Sequence, residues 1–188
     1  MNRREFLSAA ATATLLPAAE TSRPNIVFLL PDQLRAQALG CMGNKDAITP
    51  HFDRLASQGI LLKNTIANTP VCCPARAILL TGKYASENGM TANDLRLRET
   101  EVTVPELLAK AGYRTGFIGK WHLDGGKRLP GFIPPGPRRQ GFEFWAANQC
   151  SHAHFNTQYF RDSPEPIPMK KFEAEGWTDL ALEFLDTT

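Results

Sequence analysis

The chain has 188 residues, 43% of them hydrophobic, with 21 Lys and Arg against 19 Asp and Glu and a formal charge of +2. That length and apolar share suffice for a packed core of domain size, and the near balance of charge leaves no basic stripe of the kind that nucleic-acid binding requires. Four cysteines, two of them adjacent, do not form the spaced framework of a disulfide-rich secreted module, although Cys41 and Cys150 are left able to pair after export.

In chain order, Asn2-Arg3-Arg4-Glu5-Phe6-Leu7 is a twin-arginine pattern, followed by a short Ala-rich segment to Leu16 and by Pro17-Ala18-Ala19 ahead of a cleavage point. Residues 1–22 therefore read as a signal peptide for twin-arginine (Tat) export. The expected product is periplasmic or otherwise exported, with the folded part running from 23 to 188. The segment is too short and too mildly apolar to span a membrane, and no later run is long enough.

The apolar run 26–30 has the length and continuity of a strand buried on both faces of a parallel sheet. Asp32 then falls just past its carboxyl end, the edge of an α/β sheet where ligands and metals collect. The Asp32 carboxylate and the Gln33 amide offer the oxygen donors that a hard cation such as Ca²⁺ or Mg²⁺ takes; a helix cap or turn is the other reading of Asp32. A turn cluster at 40–44 precedes a helix with Thr49 as N-cap, Pro50 in its first turn, an apolar face of Phe52, Leu55 and Ala56, and Gly59 as its stop. Residues 61–67 read as a second strand.

Cys72-Cys73-Pro74-Ala75-Arg76, followed by Ala77-Ile78-Leu79-Leu80-Thr81-Gly82, places a helix start at Cys72. Pro74 has no N–H to leave unpaired, and Gly82 supplies the left-handed stop. Cys72 would then sit where unpaired N–H groups and the positive helix end converge, with Arg76 one turn on along the same face. Such a place binds a tetrahedral oxyanion and activates a nucleophile at position 72.

Thr103-Val104-Pro105-Glu106 is a capping box for a helix closed by Gly112. The segment 116–123 reads as a strand that carries Lys120 and His122 to one face and Trp121 to the other. Residues 125–141, rich in Gly, Pro, Lys and Arg, form an extended loop whose basic residues either steer an anionic substrate or are simply solvated. An apolar pattern resumes at 141–145. His152 and His154 follow, two apart, with no further cluster to complete a zinc site. Residues 178–185 suggest an amphipathic helix. The alternation of strands and helices argues an α/β fold with a mostly parallel sheet flanked by helices.

Cys72-x-Pro74-x-Arg76 with a following Thr81-Gly82, the Pro31-Asp32-Gln33 step after a first strand, and Gly119-Lys120-Trp121-His122 together resemble the signatures of the type I sulfatases, in that family's order. The resemblance covers nearly all of residues 23–188 and implies the N-terminal part of an alkaline phosphatase/sulfatase-like domain. It implies that Cys72, not Cys73, is oxidised to Cα-formylglycine by a formylglycine-generating enzyme or an anaerobic maturase. It further implies a divalent metal, Ca²⁺ before Mg²⁺, on Asp32, Gln33 and residue 72. Catalytic roles fall to Cys72, Arg76, Lys120 and His122, and His152 and His154 resemble substrate-facing positions. Gln33 departs from the commonest form, which has a second Asp there.

The activity so implied is sulfuric ester hydrolysis on a small-molecule or glycan sulfate ester. One hydroxyl of the hydrated aldehyde at position 72, ionised by the metal, attacks sulfur and the alcohol leaves, with Arg76 and Lys120 neutralising the transferring group; His122 then orients or deprotonates the remaining hydroxyl, which expels sulfate and restores the aldehyde. The later segments in which the family carries its remaining metal ligands are absent, so the chain reads as a truncated piece whose isolated activity is in doubt. A phosphodiester or phosphonate monoester hydrolase of the same superfamily is the alternative that Gln33 supports. A non-catalytic remnant is the other.

Overall fold

The computed structural model describes residues 23–187, so the twin-arginine segment lies outside the described residues. The chain divides into two compact units, one ending at Asp53 and one beginning at Arg54.

In the first unit the segment that carries Asp32 runs without regular pairing. Two short 3-10 turns, Ala36–Ala38 and Gly40–Met42, lead into helix α1, Pro50–Gln58, within which the boundary between the units falls. Thr49 and Pro50 start α1 as the sequence predicts. The Asp53 carboxylate accepts from the Cys41 N–H at 2.7 Å and from the Thr49 hydroxyl at 3.1 Å, which ties the turn cluster to the helix start.

The second unit holds helices α2 (Cys72–Thr81), α3 (Ala85–Asn88) and α4 (Val104–Lys110), strands β1 (Gly116–Lys120) and β2 (Phe144–Asn148), a small β3–β4 hairpin (Gln158–Tyr159, Ile167–Pro168) and helix α5 (Glu173–Asp186). Strands β1 and β2 pair in parallel with Gly116 opposite Phe144 and Lys120 opposite Asn148. The pair is covered on both faces, as parallel strands require. Alternation sends Phe117, Trp145 and Ala147 into a core with Cys73 and Ala77 of α2. Ile118, Phe144 and Ala146 go the other way, against Leu180 and Trp177 of α5. On the first side Phe117 meets Trp121 edge-on at 4.9 Å and stacks on Trp145 at 5.2 Å.

Helix ends follow the sequence signals. Gly82 adopts φ 67° and its N–H returns to Ile78 O at 2.8 Å, closing α2. Glu106 accepts from the Thr103 N–H at 3.0 Å to open α4, while the Thr103 hydroxyl donates to Gln140 O at 2.9 Å. Helix α5 starts earlier and runs longer than the amphipathic 178–185 stretch.

Two expected strands are not formed. Residues 26–30 and 61–67 carry no strand pairing, and Leu29 and Ile66 are 75% and 86% exposed. A parallel strand exists only through its neighbours, and among the described residues neither run has one. The parallel sheet is thus the β1–β2 pair. Nor do Cys41 and Cys150 form a disulfide; Cys150 is buried.

Candidate functional site

Helix α2 presents Cys72 as its first residue, half-buried, and Cys73 directly after it, fully enclosed. The two thiols differ in what surrounds them. Cys73 Sγ accepts from the Asp94 N–H at 3.4 Å, and burial pushes its thiol pKa up, away from the reactive thiolate. Cys72 Sγ instead lies 3.8 Å from Lys120 Nζ, at the end of β1.

The helix start is less open to an anion than the sequence suggests. The Cys73 N–H donates to Asn93 Oδ1 at 2.9 Å, Pro74 has none, and the Ala75 N–H returns to Val71 O at 2.9 Å. Charged side chains are left to meet an anion there. Arg76 lies one turn below Cys72 and donates through Nη1 to Lys120 O at 2.7 Å, so α2 is fastened to the end of β1 beside the thiol. His152 Nε2 lies 3.3 Å from Lys120 Nζ; because an ammonium only donates, the imidazole accepts there. Four of the predicted residues, Cys72, Arg76, Lys120 and His152, are therefore linked by direct contacts.

His122 is placed differently from the strand reading. β1 ends at Lys120, and the Trp121 and His122 N–H groups still reach Asn148 O (2.8 Å) and Gln149 O (2.6 Å). His122 itself adopts φ 55°, a left-handed conformation costly for a residue with a Cβ. Its ring is 1% exposed, with Nε2 3.4 Å from Asp94 Oδ1. Burial first, then the Lys120 charge and more weakly that of Arg76, hold its pKa below the ordinary imidazole value, against a smaller opposing pull from Asp94. Asp94, also left-handed at φ 68°, is gripped by Arg128, whose Nε and Nη2 lie 3.0 Å from its two oxygens. Arg128 holds the Asp94 carboxyl below the usual carboxylate range.

His154 does not join this group: its Nδ1 lies 2.7 Å from Glu173 Oε1 at the start of α5. The basic loop is largely committed to structure. Arg128 serves Asp94, Arg138 pairs with Asp124, and Arg139 is buried over Trp145, bonded to Ile133 O and Arg161 O. Substrate steering by these three arginines is accordingly replaced by internal pairing.

Asp32 and Gln33 lie in the first unit on an exposed bend. They suit a hard cation in kind, but such an ion takes six or more oxygens. Among the described residues no three His, Cys, Asp or Glu side chains gather into a metal cluster. The two residues are therefore partial donors only. No helix among the described residues is long and apolar enough to cross a membrane.

The Sulfatase family model matches residues 24–188, and the chain belongs to that family. It is 46% identical over 147 residues to an ulvan-active sulfatase of Formosa agariphila, covering 78% of this chain and 28% of that protein. It is 36% identical over 170 residues to an N-acetylglucosamine-6-O-sulfatase of Bacteroides thetaiotaomicron, covering 89% and 28%. Among solved structures it matches one captured with its substrate D-glucosamine-2-N,6-O-disulfate, at TM-score 0.77 and 34% identity over 89% of this chain and 32% of that one. The yidJ chain of Bacteroides fragilis, described as a sulfatase, gives TM-score 0.83 at 31% identity, with coverage of 92% and 42%. The fold is thus the alkaline phosphatase/sulfatase fold, and the chain spans about 28% of the length of these curated relatives. Sulfatases in general use a divalent metal and formylglycine.

Proposed function

We propose that this chain supplies the nucleophile end of a sulfuric ester hydrolase whose substrate is a sulfated carbohydrate. The observation that carries the reading is the contact of Lys120 Nζ with Cys72 Sγ at 3.8 Å, on the helix start that bears the Cys-x-Pro-x-Arg motif. Cys72 is the residue oxidised to formylglycine, by a formylglycine-generating enzyme or an anaerobic maturase. When formed, that group supplies a hydroxyl nucleophile that can later release sulfate without hydrolysis of a stable ester.

Lys120 neutralises charge on the sulfuryl group beside residue 72, and His152, accepting from the same ammonium, fixes where that charge sits. Arg76 holds the end of β1 against α2 and adds a second positive charge beside the site. His122, kept neutral by burial, is the group that can take a proton. Asp32 and Gln33 would offer two of the oxygen donors that a divalent cation takes, with Ca²⁺ ahead of Mg²⁺ as the family resemblance implies. His154, paired with Glu173, is kept as a substrate-facing position on the family resemblance alone. Residues 1–22 direct twin-arginine export, to the periplasm or beyond.

The sulfated-carbohydrate reading takes support from the glycan substrates in two relatives' names and from the bound substrate of the solved relative. Gln33 keeps a phosphodiester or phosphonate monoester hydrolase as the second reading. The test is turnover of a 6-O-sulfated amino sugar beside a matched phosphate ester, with formylglycine installed. Sulfate release in excess of phosphate release supports the proposal; the reverse preference moves the assignment to the second reading.

A further inference from the structure

Asp94 lies 28 residues from His122 and belongs to none of the three motifs. Its carboxylate nonetheless occupies the one ring nitrogen of His122 that has a partner, and three features of that contact decide more than its length. Arg128 approaches both carboxylate oxygens, with Nε at 3.0 and 3.1 Å and Nη2 at 3.0 Å, so the group stays ionised and can only accept. A contact with His122 Nε2 at 3.4 Å then requires the hydrogen to be on Nε2. The other nitrogen, Nδ1, is buried and has no hydrogen-bond partner among the described residues. A buried acceptor without a partner is less anomalous than a buried donor without one, so Nδ1 independently favours carrying a lone pair. Both residues of the contact hold left-handed backbone, φ 68° at Asp94 and 55° at His122, a local cost that persists only where surrounding structure imposes it.

We propose that Asp94, clamped by Arg128, is a positioning residue that fixes His122 as the Nε2–H tautomer and leaves Nδ1 as its single proton-accepting atom. The role deepens the hydrolase reading above and rests on it for its use in catalysis, though not for its geometry. Asp94 touches no reacting atom. It acts through His122, as a carboxylate orients an imidazole base in other hydrolytic sites.

The tautomer is read directly, without activity, from two-bond ¹H–¹⁵N correlation spectra of the full chain labelled with ¹⁵N-histidine, the His122 signals being assigned by His122→Asn. The expected spectrum at neutral pH has a protonated, pyrrole-type Nε2 and an unprotonated, pyridine-type Nδ1. A pyrrole-type Nδ1 overturns the proposal. Asp94→Asn is nearly isosteric and tolerates left-handed backbone, so it is expected to fold and to show a mixture of tautomers. An unchanged single tautomer in that variant also overturns the proposal. Should Asp94→Asn fail to fold, Arg128→Ala keeps the carboxylate but frees it, and the Nδ1–H form is expected to become detectable; its absence counts against the clamp. In the formylglycine-bearing enzyme, Asp94→Asn is expected to lower kcat about ten- to a hundred-fold with KM changed about twofold or less. A sulfatase test that fails while the Nε2–H signature persists refutes the hydrolase reading and leaves the tautomer assignment standing.

Discussion

Replacing Arg76 by alanine probes how the site is held together. Arg76 Nη1 donates to Lys120 O at 2.7 Å across 44 residues, and that carbonyl ends the strand whose side chain reaches Cys72. Hydrogen bonds from charged donors contribute about 1.5–3 kcal/mol net, and the variant leaves a partly buried carbonyl without this donor. For a chain of this size each kcal/mol moves Tm by about 2–4 °C, so Arg76→Ala is expected to lower Tm by about 3–12 °C. Arg76→Lys keeps the charge but not the forked geometry, and should recover less than half of the loss. Thermal unfolding followed by circular dichroism measures both. The same variants should show weaker retention of a sulfate ester, because Lys120 Nζ is no longer held beside residue 72. A Tm for Arg76→Ala within about 1 °C of the parent would refute the idea that this bond fastens α2 to β1.

Two further outcomes follow from the same geometry. His122 has a native pKa depressed below its unfolded value, so its contribution to stability is complete above about pH 6.5 and is lost as pH falls, because the unfolded chain then binds a proton that the native chain resists. Denaturant midpoints should fall as pH drops below about 6.5, with a slope of up to about 1.4 kcal/mol per pH unit, and His122→Asn should flatten that slope; a parent profile as flat as the variant's contradicts the burial argument. Gly141 adopts φ 87°, and a Cβ there would come within 2.6 Å of Glu106 N, so Gly141→Ala should cost about 2 kcal/mol or more and unfasten α4 from the start of β2; urea denaturation yielding a loss under about 0.5 kcal/mol contradicts it.

What was legible in the sequence was what local rules control. Pro74 and Gly82 bracket α2, Thr103 and Glu106 open α4, and Lys120 reaches Cys72 because a strand and a helix start meet where an α/β fold brings them. Runs 26–30 and 61–67 were misread because apolar composition marks a segment suited to a parallel sheet, whereas a strand is made by the neighbours it pairs with. His122 was legible as a residue but not as a conformation, since its left-handed backbone turns it out of the strand alternation that would align it with Lys120. Asp94 gave no signal at all: its function depends on contacts 28 and 34 residues away, and a lone Asp after Asn93 reads as a turn. The internal pairing of the basic loop, left open in the sequence between steering and solvation, was illegible for the same reason, because Asp94, Asp124 and Asp162, which neutralise Arg128, Arg138 and Arg139, are remote in sequence or unmarked by any pattern.

The account rests on residue 72 being the reactive position. The most direct measurement is mass spectrometry of the tryptic peptide 64–76 after expression of the chain with an active formylglycine-generating enzyme. The account predicts an aldehyde at Cys72 and an unaltered thiol at Cys73, whose sulfur is enclosed and bonded to the Asp94 N–H. An intact thiol at Cys72 despite an active modifying enzyme, or an aldehyde at Cys73 instead, would contradict it.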